Sequence, residues 1–318
     1  MNSATRTIVE QTPPAAGTPA TACYGFEVNG PLRFRFLRPG AGPPLTVTEA
    51  DGVQRPPGDP IRRWIPRPDH PFAAELFQDG SLLKLWITGT GWYEIDPELP
   101  AIRIPRDAEP IRREERTWGF PAAMCFIHRG DLPLHAAAVD IDGRALLLAA
   151  PGRYGKTTLA GSFLRFGHRL LSEDITCCRL GPRPQVIPGP AMLRVRHDAF
   201  ERVEFPGTTQ VGVDEDRVHL ALDERGRGDG SPVPIAGIVM LRKGDRTTTL
   251  EPVAPAGAIQ DLWALSFKLP NDRDHARSFR ALVDFADRVP IWDLRRPLRY
   301  EDLDDLVDRL SATCLAGS

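Results

Sequence analysis

The chain has 318 residues and a formal charge of −2, material for one large domain or two modest ones and no electrostatic case for nucleic acid as the main partner. No apolar run reaches membrane-span length and the N-terminus lacks the apolar core of a signal peptide, so no membrane association and a cytoplasmic setting are expected. Five cysteines, with Cys177 and Cys178 adjacent and no Cys-x-x-Cys spacing, argue against a disulfide framework or a structural zinc and read as buried free thiols.

Residues 1–20 are rich in Thr, Ala and Pro without an apolar period and read as a disordered tail. From 21 to 106 short β-like pieces are broken by Pro and Gly, at 24–28, 32–37, 45–48, 82–87 and 91–95, with Gln78-Asp79-Gly80-Ser81 as a hairpin turn. The Arg- and Pro-rich interval 55–71 reads as a surface loop. This half is expected to form a small β-rich N-terminal domain that either recognises a substrate or partner, or covers one side of a second domain at 107–318. Residues 107–130 carry a helical face (Ile111, Trp118, Ala122, Phe126) that Pro121 should kink or split.

Two apolar runs, 132–141 and 144–150, flank Asp142-Gly143, a strong hairpin signal. The second run stops at a Pro-Gly pair, and Gly155-Lys156-Thr157 opens helical spacing. Strand, tight loop and helix start fit the phosphate-loop pattern G-x-x-x-x-G-K-[ST] except at its first position, where Ala150 is small enough provided φ stays negative. The candidate nucleotide-binding residues are Pro151, Gly152, Arg153, Tyr154, Gly155, Lys156, Thr157 and Thr158. Backbone N–H groups would face phosphate oxygens, Lys156 would act as a point charge, and the Thr157 hydroxyl would complete a magnesium shell. The alternative is a strand-to-helix turn with a solvated lysine. A strand arriving from a hairpin departs from the common parallel βαβ arrangement.

The helix is expected to run to Phe166, with Gly167 as its C′ residue. A short strand at 169–171 then delivers Glu173-Asp174 to the edge that carries the loop. Neighbouring carboxylates beside a triphosphate suit metal-assisted phosphoryl transfer, one near the metal and one taking the proton of the attacking hydroxyl. Taken alone, the pair reads as an acidic turn. Further strands are expected at 185–188, 192–195 and 218–222, where Arg194, Arg196 and Arg217 either contact phosphate or substrate or lie solvated. A polar loop at 223–231 precedes a central strand at 233–241. Helices at 254–268 and 272–289, an edge strand at 291–294 and an amphipathic helix at 301–314 complete the chain.

Three stretches resemble, in order and spacing, the HPr kinase/phosphorylase catalytic domain and the wider class of HPr-kinase-like proteins. They are Leu134-His135-Ala136-Ala137-Ala138-Val139-Asp140, residues 150–157, and Gly167-His168-Arg169-Leu170-Leu171-Ser172-Glu173-Asp174. The likeness is specific over about 132–180 and weaker elsewhere. A β-rich half before such a domain is also similar to HPr-kinase-like proteins of peptide-modifying gene clusters, including lasso-peptide kinases. The resemblance implies an α/β, PEP-carboxykinase-like P-loop kinase domain, ATP, magnesium, and transfer of the γ-phosphoryl group to a serine hydroxyl of a peptide or protein. By position it makes Lys156 the phosphate lysine, Thr157 the metal hydroxyl, Glu173 the base, Asp174 the carboxylate beside magnesium, and His135 a neighbour of the transferred phosphate. Self-association is expected by analogy alone. The chain departs from the family pattern at Ala150, Arg153 and Glu173, and residues 204–210 stand where an Arg-Gly-Leu-Gly-type stretch is usual. Two further readings stay open: a nucleotide-binding regulator or assembly protein without phosphotransfer, and a kinase of a small molecule such as free serine.

Overall fold

The computed structural model describes residues 20–65, 72–244, 246–269 and 272–316. The expected tail lies outside the described residues except for Ala20, as does the end of the 55–71 interval. The chain is mixed α/β with several sheets. Among the described residues, the first sheet has nine strands between Thr21 and Pro105, mostly antiparallel. Period-2 alternation turns Leu45, Val47, Leu83, Leu85, Tyr93, Ile95, Ile102 and Ile104 inward. The helices Pro110–Thr117 and Phe120–Arg129 follow, and residues of both, with Ile175, Cys177 and Ile187, join the first sheet's core.

The stretch 24–28 is not one strand but a turn and a strand: Tyr24 and Gly25, at φ 52° and 71°, turn the chain between Thr21–Cys23 and Phe26–Asn29. Residues 32–37 form no strand because the N–H groups of Arg35 and Phe36 donate to the Glu114 carboxylate (2.8 and 2.6 Å) instead of to a ladder. The break between the two helices falls at Gly119, so Pro121 sits harmlessly in the first turn of the second. Strand Ile291–Arg296 is not an edge, since Thr249–Pro252 pairs along its outer side.

The second sheet is organised on the long strand Leu132–Ile141. Its first half pairs with Ile175–Arg179; its second half lies between Arg144–Ala149 and Arg169–Ser172. Asp142 and Gly143, at φ 51° and 82°, make the expected hairpin turn. Arg144–Ala149 also pairs in parallel with Val233–Lys243, which pairs in parallel with Ile291–Arg296. The strand feeding the loop is therefore both a hairpin arm and a member of a parallel set. Its residues are almost wholly buried because both faces are covered. One face meets the helices Lys156–Ser162 and Leu303–Ala316 and the antiparallel sheet of Met192–Arg196, Arg217–Leu222 and Thr208–Val213. The other meets the helices Pro255–Leu265 and Asp272–Arg288.

Arg38, only 1 % exposed, ties the first sheet to the second. Its guanidinium donates to the carbonyls of Gly189 (2.7 Å), Leu170 (2.8 Å), Leu171 (3.2 Å) and Arg227. Two of these carbonyls belong to the strand that delivers Glu173 and Asp174. Arg38→Ala strands several buried acceptors and is predicted to cost about 3 kcal/mol of stability. Urea unfolding measures this; a loss below about 1 kcal/mol would show that the clamp is dispensable.

Candidate active site

Strand register brings the expected residues together. His135 pairs with Ile175, so Asp174 lies one residue from it; Ala136 pairs with Ala149, so the loop begins next door. Three separated stretches thus converge on one sheet edge, where strand ends leave room for a ligand.

The loop 150–155 leads into helix Lys156–Ser162, continued by a 3₁₀ turn Phe163–Phe166 and closed by Gly167 at φ 79°. Ala150 is not among the left-handed residues, which meets the condition its methyl group imposes. Arg153 does take the left-handed conformation, at φ 68°, a strained choice for a non-glycine residue. Gly155 is favoured by its φ of 73°, and a Cβ there, 2.8 Å from a terminal Arg296 nitrogen, would push that guanidinium aside.

Lys156, 6 % exposed, donates from Nζ to Asp174 Oδ1 at 2.9 Å. His135 Nε2 stands 3.0 Å from the same oxygen. Thr157 Oγ1 donates to Glu173 Oε1 at 2.6 Å. Arg194 bridges the two carboxylates, with Nε 2.9 Å from Glu173 Oε2 and a terminal nitrogen 3.2 Å from Asp174 Oδ2. Burial pushes the Asp174 carboxyl up, but Lys156, His135 and Arg194 together hold it well below the ordinary carboxylate range. Burial alone would lower the Arg194 pKa; Glu173, Glu115 and Asp174 raise it well above its usual value.

The two carboxylates occupy different settings. Glu173 is 6 % exposed and turned inward to Thr157 and Arg194, whereas the Asp174 side chain keeps 40 % exposure and His135 25 %. The cleft is therefore open over Asp174 and His135 and closed behind Glu173. Thr157 and Glu173 offer a hydroxyl and a carboxylate oxygen, hard donors that fit magnesium. Among the described residues no group of three or more His, Cys, Asp or Glu side chains could hold a metal. A magnesium ion here would accordingly depend on phosphate and water for most of its shell.

Three residues at the site carried no signal in the sequence. Glu115, on the helix Pro110–Thr117, forms an ion pair with Arg194. His219 pairs across strands with Arg194; its Nε2 lies 3.0 Å from Asp214, while its buried Nδ1 has no hydrogen-bond partner among the described residues and stands 3.5 Å from Glu115. Arg296, 2 % exposed, abuts Gly155, and its Nε has no hydrogen-bond partner among the described residues. Burial lowers its pKa to about 10. Of the arginines weighed with Arg194, Arg217 donates to the Arg194 carbonyl at 3.1 Å, and Arg196 is half exposed beside Asp198.

No protein-family profile and no curated protein matches this chain. Among solved structures it is similar to the HPr(Ser) kinase/phosphatase of Coxiella burnetii, at 10 % identity and a TM-score of 0.30, over 58 % of this chain and 94 % of that one. That is a weak structural similarity without sequence-family support, and the functional reading stands on the site itself. Among the described residues no helix is long and apolar enough to cross a membrane.

The depressed Asp174 value carries a stability consequence. Its ion pairs stabilise the fold fully above the unfolded-chain value of about 3.9 and lose that contribution as pH falls toward the folded one. The stability gap between wild type and Asp174→Asn is predicted to be steady near neutrality and to shrink below about pH 4. Urea midpoints measured across pH check this; a gap unchanged to about pH 2 would contradict it.

Proposed function

We propose that this protein is a kinase that uses ATP and magnesium to transfer the γ-phosphoryl group to a serine hydroxyl of a peptide or protein, precursor peptides included. One observation carries the reading. A lysine and a threonine at a helix start, two consecutive carboxylates and a histidine meet within hydrogen-bond distance, where a strand runs into a loop closed by Gly155.

The triphosphate would lie against residues 151–158, with Lys156 moving from Asp174 to a phosphate oxygen. Magnesium, when bound, supplies charge neutralisation across the β- and γ-phosphates. Released from Lys156, Asp174 regains basicity at the open rim, where it orients the acceptor hydroxyl. The hydroxyl proton passes to Asp174 as its oxygen bonds to the γ-phosphorus and the bond to ADP breaks. His135 donates to Asp174 or to the transferred group. The exposure of Asp174 and the inward turn of Glu173 support exchanging the roles that the family resemblance implied: Asp174 serves the acceptor and Glu173 the metal side. Arg194 holds both carboxylates in place.

Such chemistry asks for position and charge more than for covalent intermediates. Removing the loop cation should therefore be severe, with Lys156→Ala lowering phosphoryl transfer by about 10²–10³-fold. The measurement is intact-mass analysis of serine-containing peptides after incubation with enzyme, ATP and magnesium. Undiminished transfer by Lys156→Ala would overturn the assignment. ATP binding without transfer to any acceptor would favour a nucleotide-binding regulator instead.

A further inference from the structure

Beside His135 lies a cavity of about 190 Å³ that the transfer chemistry leaves unused. Its wall is a relay of aromatic rings. His135 and Phe267 stand 6.3 Å apart between centroids, Phe267 and Phe120 5.2 Å, and Phe120 and Trp64 4.8 Å. None of these rings is fully buried. The segment bearing Phe267 is fixed along the His135 strand, with Leu134 bridged to Ser266 and the Phe267 N–H donating to the Pro133 carbonyl at 3.3 Å.

Two cations stand in the same wall. The Arg62 guanidinium lies 5.2 Å from the Trp64 ring centre, and the Lys268 ammonium lies 4.0 Å from that of Trp263 while donating to the Trp263 carbonyl at 2.6 Å. Among the described residues neither has a carboxylate partner. Burial and the nearby Arg62 charge hold the Lys268 ammonium below its ordinary value, so an added anion would relieve a local excess of positive charge. A partly open cavity whose two cations have no carboxylate partner among the described residues, joined through His135 to Asp174, is suited to a ligand that is apolar and anionic at once.

We propose that this cavity seats the acceptor peptide: an apolar side chain next to the target serine enters between the aromatic rings, and an acidic side chain of the same segment pairs with Arg62 and Lys268. The inference rests on the kinase reading and narrows it to acidic, apolar-flanked serine peptides. It also gives the first sheet, which supplies Arg62 and Trp64, a part in substrate recognition.

The test measures binding and transfer separately. A serine-peptide library varying the apolar neighbour and the nearby charge is passed over immobilised full-length protein, and the same peptides are assayed for phosphoryl transfer. Acidic peptides with a large apolar neighbour should be retained best. Arg62→Glu and Lys268→Glu should each weaken their retention about tenfold and shift preference toward Lys-containing peptides. Both side chains reach the surface, and both substitutions spare the core. Retention without preference, no retention, or a preference that the reversals leave intact would overturn the proposal. Transfer that proceeds regardless of apolar and acidic neighbours would keep the kinase and discard the pocket. Selective retention without transfer would keep the pocket and discard the kinase.

Discussion

The Asp174 carboxylate, held by Lys156, His135 and Arg194, is the constraint on which the rest of the site depends. A buried cation such as Lys156 is tolerated only when matched. The match here comes from a residue that follows a strand on the far side of the long central strand. Arg194 extends the balance to Glu173 and Glu115, so sheet, loop and preceding helix share one set of ion pairs. The site is neutralised from within, and the same pairs are those an incoming polyanion and its metal would rearrange. A ligand gains here only by what it offers Lys156 and Thr157 beyond their present partners.

The architecture makes this economical in residues. The strand Leu132–Ile141 changes partner midway, and His135 sits at the change. One strand thereby presents a histidine to Asp174, lies against the strand that feeds the loop, and borders the aromatic wall. Arg38 fixes the strand delivering Glu173 and Asp174 from outside the sheet, through backbone carbonyls alone. Positioning by backbone contacts leaves the side chains of that strand free to build the core.

What could be read in the sequence was local. Asp142-Gly143 demanded its turn conformation, Gly155 and Gly167 marked the ends of a helical segment, and a near-continuous apolar run announced the buried strand Val233–Lys243. The loop and the carboxylate pair are legible from spacing, His135 only through the family resemblance, and register places them together. Long-range pairing was the part that spacing could not show. Nothing near Glu115 or His219 signals that a helix residue and a cross-strand neighbour would both face Arg194. The failed strand at 32–37 has the same cause: its alternation was real, but Glu114, far along the chain, took its backbone donors. The edge position expected for 291–294 went wrong because Thr249–Pro252, half polar and four residues long, carried too weak a pattern to be seen.

The most direct measurement of the central claim is a calorimetric titration of the full-length protein with ATP, with and without magnesium. Saturable binding at one site, weakening sharply when magnesium is withheld, is the expected result, since Thr157 and Glu173 provide oxygen donors and Lys156 a single charge against a triphosphate. Absence of binding in both conditions would contradict the assignment of this cluster as a nucleotide site.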